Sequence, residues 1–196
     1  MARYSQHFKA LNKEIGRLRR HFLPQQLSRY SSNREDEIRD KTRAYLVLVH
    51  AEIESYLEKV IRDVINAKYQ EWDAGRKCSR VVVALVASAR GNFNEASLDD
   101  YVKKCYESAH EVISNNHGIR AHNLKKLFRL LGIDTDEEID QTWLNDMDTF
   151  GKLRGDIAHQ SRQQLTHFLD PKDAKQRVDN LLKGLRDLDR KLQRLP

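Results

Sequence analysis

The sequence predicts an all-α chain, a single-domain helical bundle of six or seven helices built around one long central helix. Three observations point there. Apolar residues recur at three- and four-residue spacing in almost every segment. Pro (3) and Gly (8) are too scarce for the many tight turns of an all-β chain. No internal repeat or low-complexity linker divides the 196 residues, which are enough for one sizeable core.

Residues 5–22 carry Phe8, Leu11, Ile15, Leu18 and Phe22 at helical spacing, with a basic face opposite, and Pro24 ends the helix. The polar stretch 24–33 is a loop, and Ser32 or Asn33 can cap the next helix, with Glu35, Asp36 and Glu37 in its first turn. This long helix spans about 34–71. Its stripe is Tyr45, Val49, Ile53, Tyr56, Val60 and Val64, widened by Leu46, Leu48, Leu57 and Ile61, so it packs on more than one side. Glu58 and Arg62 stand one turn apart, as an outer pair would.

Residues 73–77 suggest a turn. In 79–90, Val81, Val82 and Val83 favour strand and Ala84 to Ala89 favour helix; helix is preferred because no partner strand is visible. Gly91 to Asn94 is a second turn. Ser97 starts a helix over 98–115, which stops at Asn115-Asn116-His117-Gly118, residues suited to a left-handed cap. A short helix over 121–131 closes at Gly132. A helix over 137–161 comes after it, and Pro171 opens the last one, 172–194. The organisation expected is a basic helix and loop over 1–33 ahead of a helical domain over 34–196.

The formal net charge of +6 suits a polyanionic partner such as RNA or DNA, and equally suits plain solubility. Basic residues concentrate in 1–22, where Arg3, Lys9, Lys13, Arg17, Arg19 and Arg20 face a single Glu14. Residues 134–148 are acidic, an asymmetry that can orient an anionic substrate or dock two subunits. Cys78 and Cys105 form neither a disulfide framework nor a metal motif and suit a reducing, cytoplasmic setting. The longest apolar run, Val81 to Ala87, is too short to span a bilayer, and no signal peptide is expected.

The chemistry centres on Lys152 to Gln160. Arg154 and His159 stand five residues apart on a helix with Gly151, Gly155 and Ala158 around them, and small residues admit a close neighbour. Spacing alone does not select this pair, because Arg162–His167 and Arg43–His50 are similar. Context does: the helical pattern fades around Arg162, and Arg43 and His50 lie two turns apart on the core helix. His50 and His110 sit among core positions as packed, hydrogen-bonded histidines. His117 and His122 flank a turn without the partners a metal site needs, so neither a metal nor another cofactor is expected.

Four stretches in order carry a family likeness: Arg43 to Glu54; Asn116-His-Gly-Ile119 leading to Leu127 through Ile133; Leu153 to His159; and Asp170 to Ala174. Together they resemble the HEPN superfamily of small α-helical domains, and within it the RiboL-PSP-HEPN group. The resemblance implies a two-fold dimer whose R-x4-6-H motifs meet at one cleft, here Arg154 and His159. It implies a metal-independent endoribonuclease acting as a toxin or antiphage effector. The partners it implies are RNA (tRNA or mRNA), a second copy of the chain, and an antitoxin or defence protein. The position after the motif arginine is commonly polar in the family; here it is Gly155, with Asp156 next, a candidate supporting residue.

Glu54 is the other supporting candidate, either a buried carboxylate orienting His159 or Arg154 or a solvated glutamate. Lys152, Gln160, Ser161 and Arg162 are candidate contacts to an RNA backbone, or else a solvated helix end. Five residues apart on one helix, Arg154 and His159 differ in direction by about 140°. A two-fold dimer would supply two of each to one site. Two alternatives compete: a non-catalytic HEPN module binding a partner protein or nucleotide, and a subunit of a larger complex that docks through 1–33.

Overall fold

The computed structural model describes residues 4–24, 34–89, 97–159 and 170–195, with backbone only at 158 and 159. Among them lie eight helices and no strand. The eighth, beyond the seven the sequence suggests, is a single turn.

α1 (Gln6–Phe22) is capped by Ser5, whose hydroxyl accepts from Phe8 N–H. Phe8, Leu11, Ile15 and Leu18 are buried, as their spacing predicts. They pack on α2 (Glu35–Gly75), the 41-residue axis of the bundle. Its buried face includes Tyr45, Leu46, Val49, Ile53, Tyr56, Leu57, Val60 and Ile61. Two positions depart from the expected stripe. Leu48 is exposed, and Ile65 enters the core where Val64 was expected. Over so long a helix, the buried face drifts around the axis as its partners change.

α2 runs four residues beyond the predicted end, through Gly75. Arg76, not a glycine, takes the left-handed position, at φ 55°. Its N–H donates to Trp72 O and its guanidinium to the carbonyls of Trp72 and Asp73, so one residue satisfies two helix-end acceptors. The Glu58–Arg62 pair gives way to contacts between helices: Glu58 accepts from Asn116, and Arg62 donates to His110 Nδ1 at 3.0 Å.

α3 (Arg80–Ser88) settles the ambiguous segment as helix, with Ser79 capping Val82 N–H. The expected turns at 24–33 and 91–94 lie outside the described residues except for Pro24. α4 (Leu98–Ser114) starts at its Ser97 cap. It ends at Asn115 with φ −92°, so the left-handed residue of this turn is Gly118 (φ 119°), three positions later. α5 (Ala121–Leu130) closes at left-handed Gly132; Gly132 N–H donates to Arg129 O and Ile133 N–H to Phe128 O, the Schellman pattern.

The helix expected over 137–161 is two elements. α6 (Thr135–Glu138) is one turn capped by Asp134. The chain then breaks, and α7 (Gln141–His159) restarts where Asp140 accepts from Trp143 N–H. Asp140 is a second capping residue inside one helix-like pattern, and it wins locally. α8 (Pro171–Leu192) has Asp170 as cap and Pro171 in its first turn.

The acidic stretch is largely consumed inside the chain. Asp134 and Asp140 cap helices, Asp136 pairs with Lys125, and Glu138 takes both Arg80 and Lys191. Arg80 above all holds the Glu138 carboxyl at about 2, against the cost of burial. α1 and α8 contribute to one continuous core with α2, α5 and α7. Asp189 of α8 is fully buried. It accepts from Ser5 N–H and Oγ–H of the α1 cap, from Tyr56 O–H of α2 and from Gln193.

Candidate functional site

The site is built where α2, the 116–120 turn and α7 meet. Two contacts show that α2 and α7 run antiparallel here. His50 stacks on Phe150, and seven residues earlier on α2 the Arg43 Nη2 donates to Ile157 O at 3.3 Å. Arg154 therefore lies between these two crossings, one turn beyond Phe150, and it is exposed. Arg43, part of a decoy pair in the sequence, ties α2 to the last turn of α7.

His50 is buried, as expected of a core histidine. Burial, and then the Arg154 charge, pull its imidazole down from 6.5 to about 4, so it is neutral at pH 7. Its Nδ1 stands 3.6 Å from Glu54 Oε2, one turn along α2. The other Glu54 oxygen accepts the Gly118 N–H. Glu54 is thus a partly buried carboxylate that fixes the 116–120 turn. Asn116 braces the same turn, donating to Glu58 and to Gly118 O.

From that turn, Arg120 reaches α7. A Cβ at Gly151 would fall 2.7 Å from Arg120 Cγ and 3.3 Å from its backbone nitrogen, so only glycine lets the chain cross there. Asp148, one turn earlier on α7, receives Ala121 N–H at 3.0 Å and Arg120 Nε at 3.3 Å. Burial raises the Asp148 carboxyl, but the Ala121 N–H and Arg120 together bring it below the usual range. Gly155 differs from Gly151: among the described residues, nothing beyond its chain neighbours and its own helix backbone stands within 4 Å of where its Cβ would be, so it leaves an open notch beside Arg154.

Of the residues singled out in the sequence, Arg154 and Lys152 are exposed on α7 and Asp156 is half-buried. His159 ends α7, its side chain outside the described residues, as are Gln160, Ser161 and Arg162. Sequence reasoning missed Arg120, Gly118 and Asp148 as members of this region. Only the small side chain of Gly151 hinted at a close crossing, without saying what crosses. Among the described residues, no three His, Cys, Asp or Glu side chains gather as a metal site would require, and no helix is long and apolar enough to cross a membrane.

The arrangement offers a guanidinium on an exposed helix face beside an open notch, a donor geometry suited to phosphate. A family model described as RiboL-PSP-HEPN matches residues 10–194. No curated protein and no solved structure matches the chain.

Proposed function

The chain belongs to the RiboL-PSP-HEPN family, and on that footing we propose that it is a metal-independent endoribonuclease acting as a homodimer, a toxin or antiphage effector. The observation that carries this is Arg154, exposed on α7 beside the open notch at Gly155. Arginine stays charged and aims forked donors at the oxygens of a phosphorane, where charge builds up.

His159 is the proton-transfer group. Imidazole titrates near neutrality and serves as base or acid. In the proposed step, His159 of one copy takes the proton of the RNA 2′-hydroxyl. That oxygen attacks the adjacent phosphorus and the P–O5′ bond breaks. His159 of the second copy protonates the departing 5′-oxygen. The products are a 2′,3′-cyclic phosphate and a 5′-hydroxyl. Lys152, Gln160, Ser161 and Arg162 are proposed to hold the flanking backbone, with Asp156 and Glu54 in support.

The test is purified protein with RNA in EDTA. Cyclic-phosphate ends are expected, and His159→Ala should abolish them. Uncut RNA across a broad substrate set, from folded protein, would sink the nuclease and leave a non-catalytic module binding a partner protein or nucleotide.

A further inference from the structure

We propose that Arg120 is a second phosphate-binding arginine of this site, laid across Gly151 so that it engages the phosphate next to the one at Arg154; this rests on the nuclease reading above. The side chain is placed by its surroundings. Its Cγ occupies the space that any Cβ at Gly151 would need. Its Nε is held by Asp148, whose carboxylate also receives the Ala121 N–H. Asp148 thereby takes one donor of the fork, at 3.3 Å, and the terminal nitrogens extend from a side chain that is 46% exposed.

Asp148, Gly151 and Gly155 succeed each other at three and four residues, so they line one face of α7, with Arg154 beside them. About 9 Å of helix rise separates Asp148 from Arg154, short enough for neighbouring phosphates of one strand to meet both arginines. Asp148 also explains why the arginine does not swing freely: a pre-aimed guanidinium loses less freedom on binding than a loose one. Exposed His122 lies near enough to influence Asp148 electrostatically, on the same edge.

The test is binding rather than cleavage. Full-length chain carrying His159→Ala, which leaves bound RNA uncut, is titrated against labelled single-stranded RNA at several salt concentrations. Arg120→Gln should weaken binding roughly fivefold to tenfold and lower the salt slope by about 0.7, the loss of one phosphate contact to a single strand. Gly151→Ala should do the same with Arg120 chemically intact. Arg120→Lys, which keeps the Asp148 pair, should restore part of the slope. Equal melting temperatures verify folding, and Arg120→Lys carries the test if Arg120→Gln is unstable.

Parental affinity and slope in both Arg120→Gln and Gly151→Ala would overturn the inference. If Arg154→Gln still weakens binding in that case, the nuclease reading survives without Arg120. Absence of RNA binding by the His159→Ala parent and by the unaltered chain would overturn both.

Discussion

The imidazole of His50 stacks on the ring of Phe150, with centroids 6.2 Å apart and planes 28° from parallel. This contact joins the middle of α2 to the α7 turn just before Arg154, and it carries a pH dependence. The folded imidazole titrates at about 4 and the unfolded one near 6.5, so between those values the unfolded chain binds the extra proton. Stability is therefore full above pH 6.5 and lost progressively as pH falls toward 4, by about 3 kcal/mol from this group. Urea titrations at pH 7 and pH 5 should differ by much of that amount. His50→Gln, which does not titrate, should flatten the difference; an unchanged pH profile in that variant would refute the assignment.

Glu54 should govern the 116–120 turn. Its carboxylate accepts the Gly118 N–H, a hydrogen bond to a charged group worth about 1.5–3 kcal/mol. In Glu54→Ala the Gly118 amide should exchange with solvent about 10- to 100-fold faster, while Glu54→Gln, which keeps an acceptor, changes it less. Hydrogen exchange resolved at Gly118 decides this.

Asp189 should be costly to remove. Burial, followed by the Asp189 charge and hydrogen bond, drives the Tyr56 hydroxyl above its ordinary range, so it stays a donor. Asp189→Ala leaves Tyr56 and Ser5 without their shared carboxylate acceptor and removes one of the two acceptors of Gln193, at about 2–4 kcal/mol. For a chain of this size that lowers the melting temperature by about 5–15 °C. Asp189→Asn, which retains one acceptor oxygen, should fall between.

Gly184→Ala should disturb the α7–α8 seam. A Cβ there would overlap the Trp143 indole, which is pinned by its Nε1–H donating to Leu181 O at 3.1 Å. Overpacking of this kind costs about 1–3 kcal/mol. Calorimetry measures the loss, and the Trp143 contribution to fluorescence should shift. A variant as stable as the parent would mean the indole has room to move.

Much of this fold was legible because it is local. Ser97, the Asp170–Pro171 start and Gly132 mark helix ends with residues whose conformational preferences act over a few positions. The apolar stripe of α1 appears at its expected spacing. The misses have local rivals. Arg76 caps α2 with its own side chain, so Gly75 does not mark the end, and Asp140 restarts a helix that periodicity alone runs together with α6. The region around Arg154 was half legible. Its helix and small residues could be seen, but Arg120 and Gly151 meet across 31 positions, and no pattern in a single sequence registers such a crossing. The side chain of His159 and the residues 160–162 lie outside the described residues, so their roles rest on the proposal.

The link between Ser5 and Asp189 also sets an order in time. The two residues are 184 positions apart. At about 5–20 residues per second, synthesis separates them by on the order of ten to forty seconds. During that interval α1 can lie on α2, but its capping residue lacks the carboxylate that joins it to α8. The bundle closes only after α8 has emerged, so a chain still being translated holds α1 on α2 without the buried carboxylate that locks both to the last helix.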